Sequence, residues 1–180
     1  MAKLQNCLDT ASIYVSTYAK YNIGNLNGDW LNLSDYLDYE ELYEAMRELH
    51  YDEEDPEFMF QDYEAPKFFI NQGLISECQI SKDIYEIAEK INDSGLEFEI
   101  IEAYVDCRGN YNQDIQGLIY EVSESYYGEY NSDEDFVQEM LEQDGSIPEN
   151  FPSYIIIDWE KTTHNFMYDY STSNGYYFKN

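Results

Sequence analysis

Apolar residues recur three or four positions apart in several stretches of the chain, which is the spacing of one face of an α-helix. The pattern predicts helices over residues 35–49, 82–92, 96–106 and 133–143. Ser34 and Ser132 stand where an N-cap residue is expected, and Gly145 stands where a helix C-terminal glycine is expected. A weaker periodicity over residues 114–127 favours a helix over a strand.

Alternating or β-branched runs predict the strands of the fold. These runs cover residues 13–19, 30–33, 58–61, 154–159 and 175–178. A helix starting near Asp158 is the alternative for the fourth run, and both readings stay open. Gly and Asn residues predict a loop over 20–28 and a tight turn at Asn174-Gly175. The segment 62–66, which ends in Pro66, is predicted to be a turn that ends a first domain. The predicted fold class is α+β.

The net charge is the most informative feature of the composition for function. The chain has 38 Asp and Glu against 9 Lys and Arg, a formal net charge of -29 in 180 residues. Phosphate contacts need Lys and Arg, and Arg108 is the only strong base of that kind between residues 91 and 160. We therefore expect no nucleic-acid partner and instead a partner with a basic surface. Disorder is disfavoured, because 43% of the residues are hydrophobic and 17% are aromatic.

The acidic residues follow the predicted helices in rows, at helical spacings of three, four or seven residues. Neighbours at such spacing repel one another by about 0.2 to 0.5 kcal/mol per pair. A solvated helix face explains one such row, but rows on three helices favour a carboxylate surface that mimics DNA phosphates. The candidate phosphate mimics are Glu40, Glu44, Glu48, Asp52, Glu53, Glu54, Glu99, Glu102, Asp106, Glu129, Asp133, Asp135, Glu139 and Glu142.

The amount of charge matches a piece of duplex of the protein's own size. Duplex DNA carries one charge per about 1.7 Å of axis, so 29 charges correspond to about 50 Å of duplex. A compact domain of this length is about 40 Å across. A single chain therefore has enough negative charge to imitate a DNA segment of its own length.

Motifs for catalysis are missing from the sequence, and we expect no enzyme activity and no cofactor. His50 and His164 are the only histidines, neither has a recognisable catalytic setting, and a surface or turn role is favoured for both. The three cysteines, Cys7, Cys78 and Cys107, are widely spaced and predicted to be free thiols. No apolar run is long enough for a membrane span and no secretion signal is present, so a cytoplasmic location is expected.

Calcium binding is the alternative function, as part of an acidic calcium-binding or general protein-interaction module. The segment 110–114 offers alternating oxygen donors, and Glu121 falls at the twelfth position of an EF-hand-like loop. Ile115 stands where such a loop requires Gly. A solvated loop is therefore favoured, and no metal site is predicted.

Three segments carry a resemblance to a known family. Residues 127–136 resemble the YxGxYxSxxDF segment of the ArdA antirestriction proteins, with Gly128, Tyr130 and Ser132 in matching positions and Tyr127 directly before Gly128. Residues 13–31 resemble the opening YxxxxxxYNxGxxxGxW of that family. Residues 152–160, with the closing 174–178, resemble its YxDY region and terminal segment. The matching residues there include Tyr154, Asp158 and Trp159.

The resemblance implies an elongated chain of three small domains. These are an α/β domain over 1–66 with a polar tail at 1–12, a helical middle domain over 67–109, and an α/β domain over 110–180. It further implies a homodimer, in whose contacts the motif residues would take part, that mimics bent B-form DNA. The partner would be a type I restriction-modification enzyme, at its methyltransferase core, in a bacterial host that carries a mobile genetic element. This chain has His164-Asn165 where the family often has an Arg-Asp pair, so the role of that pair stays open.

Overall fold

The structure, a computed structural model, describes residues 6–109, 114–147 and 154–180. Within these residues the chain forms two compact units, one of residues 6–98 with 114–116 and the other of residues 99–109, 117–147 and 154–180. Helices and strands are mixed in both, in agreement with the predicted α+β class. The division into three domains stays a prediction. No helix in the described part of the chain is long and apolar enough to cross a membrane.

The first unit is built on a three-stranded antiparallel sheet with β1 in the centre, in the order β2-β1-β3. Its elements are β1 (Ser12–Thr17), α1 (Tyr18–Asn22), β2 (Asp29–Asn32), α2 (Tyr39–Leu49), β3 (Phe58–Glu64), α3 (Lys67–Asn71), the hairpin β4 (Ile75–Ser76) and β5 (Gln79–Ile80), and α4 (Ile84–Asp93). Its buried side chains include Ile13 and Val15 of β1 and Leu42 and Met46 of α2. The apolar face of α2 is thus turned inward, as its periodicity predicts.

The second unit contains a three-stranded antiparallel sheet in the order β6-β8-β7. Its elements are α5 (Phe98–Arg108, from residue 99), α6 (Ile115–Ser125, from residue 117), β6 (Tyr126–Glu129), α7 (Asp133–Gln143), α8 (Trp159–Phe166), β7 (Tyr170–Ser173) and β8 (Tyr176–Lys179). The rings of Phe136 and Tyr177 form its aromatic core, which packs with Val137 in one hydrophobic cluster. The rings of Phe136 and Tyr177 stack with centroids 4.5 Å apart.

The four strongly periodic helices are confirmed as α2, α4, α5 and α7, and the weaker one as α6. Ser132 caps α7, and Gly145 follows the C-cap with a φ of +77°, both as predicted. The prediction of Ser34 as the cap of α2 is wrong. Residues 33–35 form a short 3₁₀ turn, and α2 begins four residues later, where Oδ1 of Asp38 accepts a 2.9 Å hydrogen bond from the Glu41 amide.

Three strand and loop predictions are also wrong at their ends. Tyr18–Asn22, predicted as strand end and loop, is the short helix α1, because Oγ1 of Thr17 accepts from the Lys20 amide and caps a helical turn. Residues 62–64 continue β3 because they pair with Ser12–Tyr14. The run 154–159 pairs with no described strand, and the alternative is confirmed: α8 starts at Trp159, with Asp158 as its N-cap.

Candidate functional site

The acids of α2 lie on the opposite face of the helix from its buried residues. Glu40, Glu44 and Glu48 are exposed, whereas Leu42 and Met46 are buried. The helix is held in this orientation by its apolar stripe and starts at the Asp38 cap. Three charges over about 12 Å of helix axis is less than half of the roughly seven that duplex DNA carries over that length. The α2 row alone therefore does not reach the charge density of DNA. Mimicry of DNA phosphates would need several such rows.

The acids of α7 form a second exposed group, built on the Ser132 cap. The hydroxyl of Ser132 accepts a 3.1 Å hydrogen bond from the Asp135 amide, and Phe136 and Val137 face the core. The exposed acids of this helix are Asp133, Glu134, Asp135, Glu139 and Glu142. Glu134 lies among them and was not singled out from the sequence. Three acids lie in the first turn, where their negative charge interacts favourably with the positive end of the helix dipole.

Side-chain hydrogen bonds hold several of the α7 carboxylates in place. Asp133 accepts a 2.6 Å bond from the Tyr177 hydroxyl, which ties it to β8. Glu142 accepts a 2.9 Å bond from the Gln138 amide. Glu139 accepts a 2.7 Å bond from the Gln143 amide. Neutral donors fix these carboxylates without removing their charge.

Helix α5 carries fewer exposed acids than its sequence row predicts. Glu99 and Asp106 are exposed, while Glu102 is half-buried. Five residues of this helix are buried, which leaves the acids a narrow edge; they are Ile100, Ile101, Ala103, Tyr104 and Val105. Glu129, the last candidate of the second unit, is exposed at the end of β6.

Lysine and arginine leave the α2 and α7 acids unpaired. The described residues form four ion pairs, and none includes an acid of either helix. Arg47, on α2 itself, points its guanidinium at the Glu54 carbonyl, 3.4 Å away. Arg108 donates to the Lys179 carbonyl at 2.6 Å. Both arginines thus donate to backbone oxygens, and the ammonium of Lys82 lies 5.8 Å from the ring centroid of Tyr39 on α2.

The first three acids that follow α2 are Asp52, Glu53 and Glu54. Two of them differ from the α2 acids, because they form ion pairs with Lys20. Its Nζ lies 2.7 Å from Oδ1 of Asp52 and 3.5 Å from Oε1 of Glu53, and the latter oxygen also accepts from the Thr17 hydroxyl at 2.7 Å. Hydrogen bonding to Lys20 lowers the pKa of Asp52. Only Glu54 of this trio is exposed without an ion pair.

His50 belongs to the same cluster. Its predicted turn position is confirmed, because residues 50–52 form the turn that follows α2, but a surface role is wrong. The ring is buried, with 1% of its surface exposed. Lys20 Nζ lies 2.9 Å from its Nδ1, and an ammonium can only donate, so the ring proton is on Nε2, 3.4 Å from the Val15 carbonyl. Burial, with Lys20 adding to it, lowers the pKa of His50.

The spatial grouping of His50, Asp52 and Glu53 resembles a metal site, with ligand atoms within 4.8 Å of one another. Lys20 Nζ is within 3.5 Å of all three of them and supplies the positive charge there. The segment 110–113 of the calcium alternative lies outside the described residues. Its proposed twelfth-position ligand, Glu121, accepts a 3.0 Å hydrogen bond from the Tyr104 hydroxyl.

The motif residues 127–132 build the core of the second unit. The Tyr130 ring packs 5.1 Å from Phe136, and the Tyr127 ring packs 5.3 Å from Tyr170. Gly128 sits at a register shift between β6 and β8 with a φ of +139°. A Cβ there would lie 3.1 Å from the Tyr130 ring, so glycine fits this bulge best.

The remaining motif residues are also explained by the fold, with one exception. Asp158 caps α8 and pairs with Lys161 at 2.9 Å, and Trp159 is half-buried. Gly28 of the opening segment lies so close to β1 that a Cβ would reach 2.2 Å from the Val15 carbonyl oxygen. Tyr154 is the exception, with 84% of its surface exposed.

The pair that departs from the family pattern lies on the surface. His164 and Asn165 are both exposed near the end of α8. The Tyr168 hydroxyl lies 3.1 Å from Nε2 of His164 and the two rings meet edge to face. The position therefore makes a local contact within one turn, and it forms no ion pair with any residue that the structure describes.

These features define an acidic α+β protein whose signature residues build the fold and whose carboxylates cover its helices. The family model described as antirestriction protein (ArdA) matches residues 13–178. The chain therefore belongs to the ArdA antirestriction family, whose members are inhibitor proteins, and antirestriction activity follows from this membership. No curated protein and no solved structure matches the chain.

Proposed function

We propose that this protein acts as a DNA mimic that occupies the DNA-binding groove of a type I restriction-modification enzyme. Membership of the antirestriction family suggests a restriction enzyme as the partner. The observation that carries the mimicry is the unpaired state of the exposed α2 and α7 acids, described above. A groove lined with Lys and Arg exchanges its contacts with phosphates for contacts with such carboxylates.

The geometry of both helices supports this function. Their apolar stripes are buried, so their carboxylates are presented by rigid elements. Hydrogen bonds from Tyr177, Gln138 and Gln143 orient the α7 carboxylates before a partner arrives. Preorganised charges lose less conformational entropy on binding than flexible ones.

A matched pair of triple variants tests the role of the α2 acids. Glu40→Gln, Glu44→Gln and Glu48→Gln together remove three charges from one row. The control, Glu57→Gln, Glu64→Gln and Glu77→Gln, removes three charges from exposed positions outside the rows. We expect the α2 triple variant to weaken inhibition of a type I enzyme by at least about tenfold and the control by less than about threefold. Equal loss in both variants would mean that only net charge matters and would contradict a patterned mimic.

We also propose that the protein is a homodimer. Tyr154, Ile155 and Ile156 form an exposed apolar stretch, with 84%, 47% and 90% of their surfaces exposed. Ile156→Asp is expected to shift the dimer to monomer in sedimentation equilibrium. Ile23→Asp, at a residue that is 79% exposed in the first unit, is the control. A monomeric wild-type chain at micromolar concentration would contradict this part of the proposal.

A further inference from the structure

The first unit contains a cleft of about 500 Å³ between the turn that precedes α2 and the exposed side of α4. We call it the tyrosine cleft, after the rings of Tyr36 and Tyr85 in its lining. Its volume is in the range of pockets that hold a small organic group. No sequence motif indicates it, because its walls come from three separated segments, within residues 6–8, 34–38 and 85–93.

The two tyrosines are half-buried and supply the aromatic rings of the lining, beside the apolar side chains of Leu8, Leu37 and Ala88. The Tyr85 hydroxyl donates a 3.0 Å hydrogen bond to the Leu33 carbonyl, which fixes its ring in the wall. Leu37, beside them, is 84% exposed. Aromatic faces of this kind attract cations, most strongly where water is partly excluded.

Carboxylates complete the lining, with Asp38 on one side and Glu89 and Asp93, one helical turn apart, on the other. Glu86 also lines the cleft and is paired with Lys90 at 2.6 Å. The lining itself includes no lysine or arginine. Burial, followed by Tyr36 and the nearby acids, raises the pKa of Tyr85 far above its ordinary value.

We propose that the tyrosine cleft binds one guanidinium group, the side chain of an arginine presented by the basic partner. A guanidinium is planar, stacks on aromatic rings and donates two parallel hydrogen bonds to a carboxylate. A lysine ammonium lacks that plane and is more strongly hydrated. This inference deepens the proposed function and rests on it, since it adds a specific anchor to a surface that otherwise recognises charge.

The probe that tests the cleft needs no restriction enzyme. The full chain is titrated with N-acetyl-arginine N-methylamide, and the ring signals of Tyr36 and Tyr85 are followed by NMR. We expect saturable shifts at these two rings. N-acetyl-citrulline N-methylamide, which has the same shape without the charge, is expected to cause none. Equal shifts with both compounds, or shifts spread evenly over the protein, would overturn the proposal.

Two substitutions with matched controls locate the site. Glu89→Gln is expected to weaken arginine binding by about threefold or more, the size of an exposed charge contact, whereas Glu77→Gln on the β4–β5 hairpin leaves it unchanged. Tyr36→Leu removes a ring from the cleft, and Tyr51→Leu removes a ring that is 87% exposed elsewhere. Equal weakening by a cleft variant and its control would overturn the assignment. A lysine derivative that binds as tightly as the arginine derivative would overturn the guanidinium preference.

The failure of this inference differs from failure of the proposed function. If the arginine derivative does not bind while the wild-type chain inhibits a type I enzyme, the cleft is wrong and mimicry stands. If the wild-type chain does not inhibit, the proposed function is wrong. If the arginine derivative binds and the wild-type chain inhibits the enzyme, Glu89→Gln is expected to weaken inhibition more than Glu77→Gln does. An equal effect would show that the cleft is not used in the complex.

Discussion

The Tyr177 hydroxyl donates a 2.6 Å hydrogen bond to Oδ1 of Asp133, and this bond joins the middle strand of the second sheet to the first turn of α7. Asp133 is exposed, whereas Tyr177 is 2% exposed at the centre of the aromatic core. One carboxylate on the acidic surface is therefore also part of the bond network that supports the fold. Burial and then Asp133 raise the pKa of Tyr177 well above its ordinary range.

Tyr177→Phe is expected to destabilise the protein by about 1.5 to 3 kcal/mol, the range for a hydrogen bond to a charged group. The ring packing against Phe136 is retained, so the loss reports the bond. Denaturant unfolding measures it. Tyr120→Phe is the control, because Tyr120 is 66% exposed and should change stability by no more than about 0.5 kcal/mol. Similar values for both variants would mean that the bond does not contribute.

Acid is expected to destabilise the first unit through His50. The folded pKa of His50 is lower than its ordinary value of 6.5, because burial and Lys20 both oppose a second positive charge. The folded state therefore binds fewer protons than the unfolded state below about pH 6.5. The His50 contribution is complete above that pH and is lost as the pH falls from 6.5 toward the folded pKa.

Unfolding free energies measured between pH 7.5 and 5.5 check this dependence. His50→Gln keeps an acceptor for Lys20 without the titration, so its stability should fall less steeply with pH than that of the wild type. The account of His50 fails if the His50→Gln slope equals the wild-type slope.

Ser132 is expected to act on stability and not on partner binding. Ser132→Ala removes the acceptor of the Asp135 amide and should cost about 1 kcal/mol of unfolding free energy. Ser123→Ala, within α6, removes a hydroxyl that bonds only the carbonyl one turn back and should be near neutral. Inhibition measured at a temperature where Ser132→Ala is fully folded should match the wild type. A loss of inhibition there would assign this motif residue to the interface.

The helices could be predicted from the sequence because their signals are local. Periodic apolar residues fix α2, α4, α5 and α7, and the Ser132 cap fixes the start of α7. The start of α2 cannot be decided from the cap residues alone, because Ser34 and Asp38 are both good caps. The apolar stripe begins only at Tyr39, and Asp38 is the residue whose side chain reaches an unpaired amide of the first turn.

Strands are harder to predict from the sequence than helices, because strand pairing depends on residues that are distant in the chain. The β-branched run 154–159 has strand propensity, yet β8 already has β6 and β7 as its neighbours. Strand β7 was missed because Tyr170–Ser173 carries no apolar alternation and is defined by its pairing with β8. The short hairpin β4–β5 has no sequence signal of comparable strength.

The acids of the candidate site could be identified from the sequence, but their environments could not. Helical spacing predicts which acids share a face of α2, and all three are exposed. Asp52 and Glu53 differ from the α2 acids in forming ion pairs, because Lys20, more than 30 positions earlier in the sequence, lies beside them. The tyrosine cleft is likewise formed by three segments that are distant in the sequence. The local sequence pattern does not predict contacts between residues that are distant in the chain, and these contacts set the environment of each acid.

Competition with DNA tests the central claim most directly. The wild-type chain is added to a type I methyltransferase core bound to a fluorescent duplex that contains its target sequence. The account predicts mutually exclusive binding: the chain displaces the duplex, excess duplex displaces the chain, and the affinity of the chain falls as salt is raised. A ternary complex of enzyme, duplex and chain, or an affinity that does not change with salt, would contradict DNA mimicry.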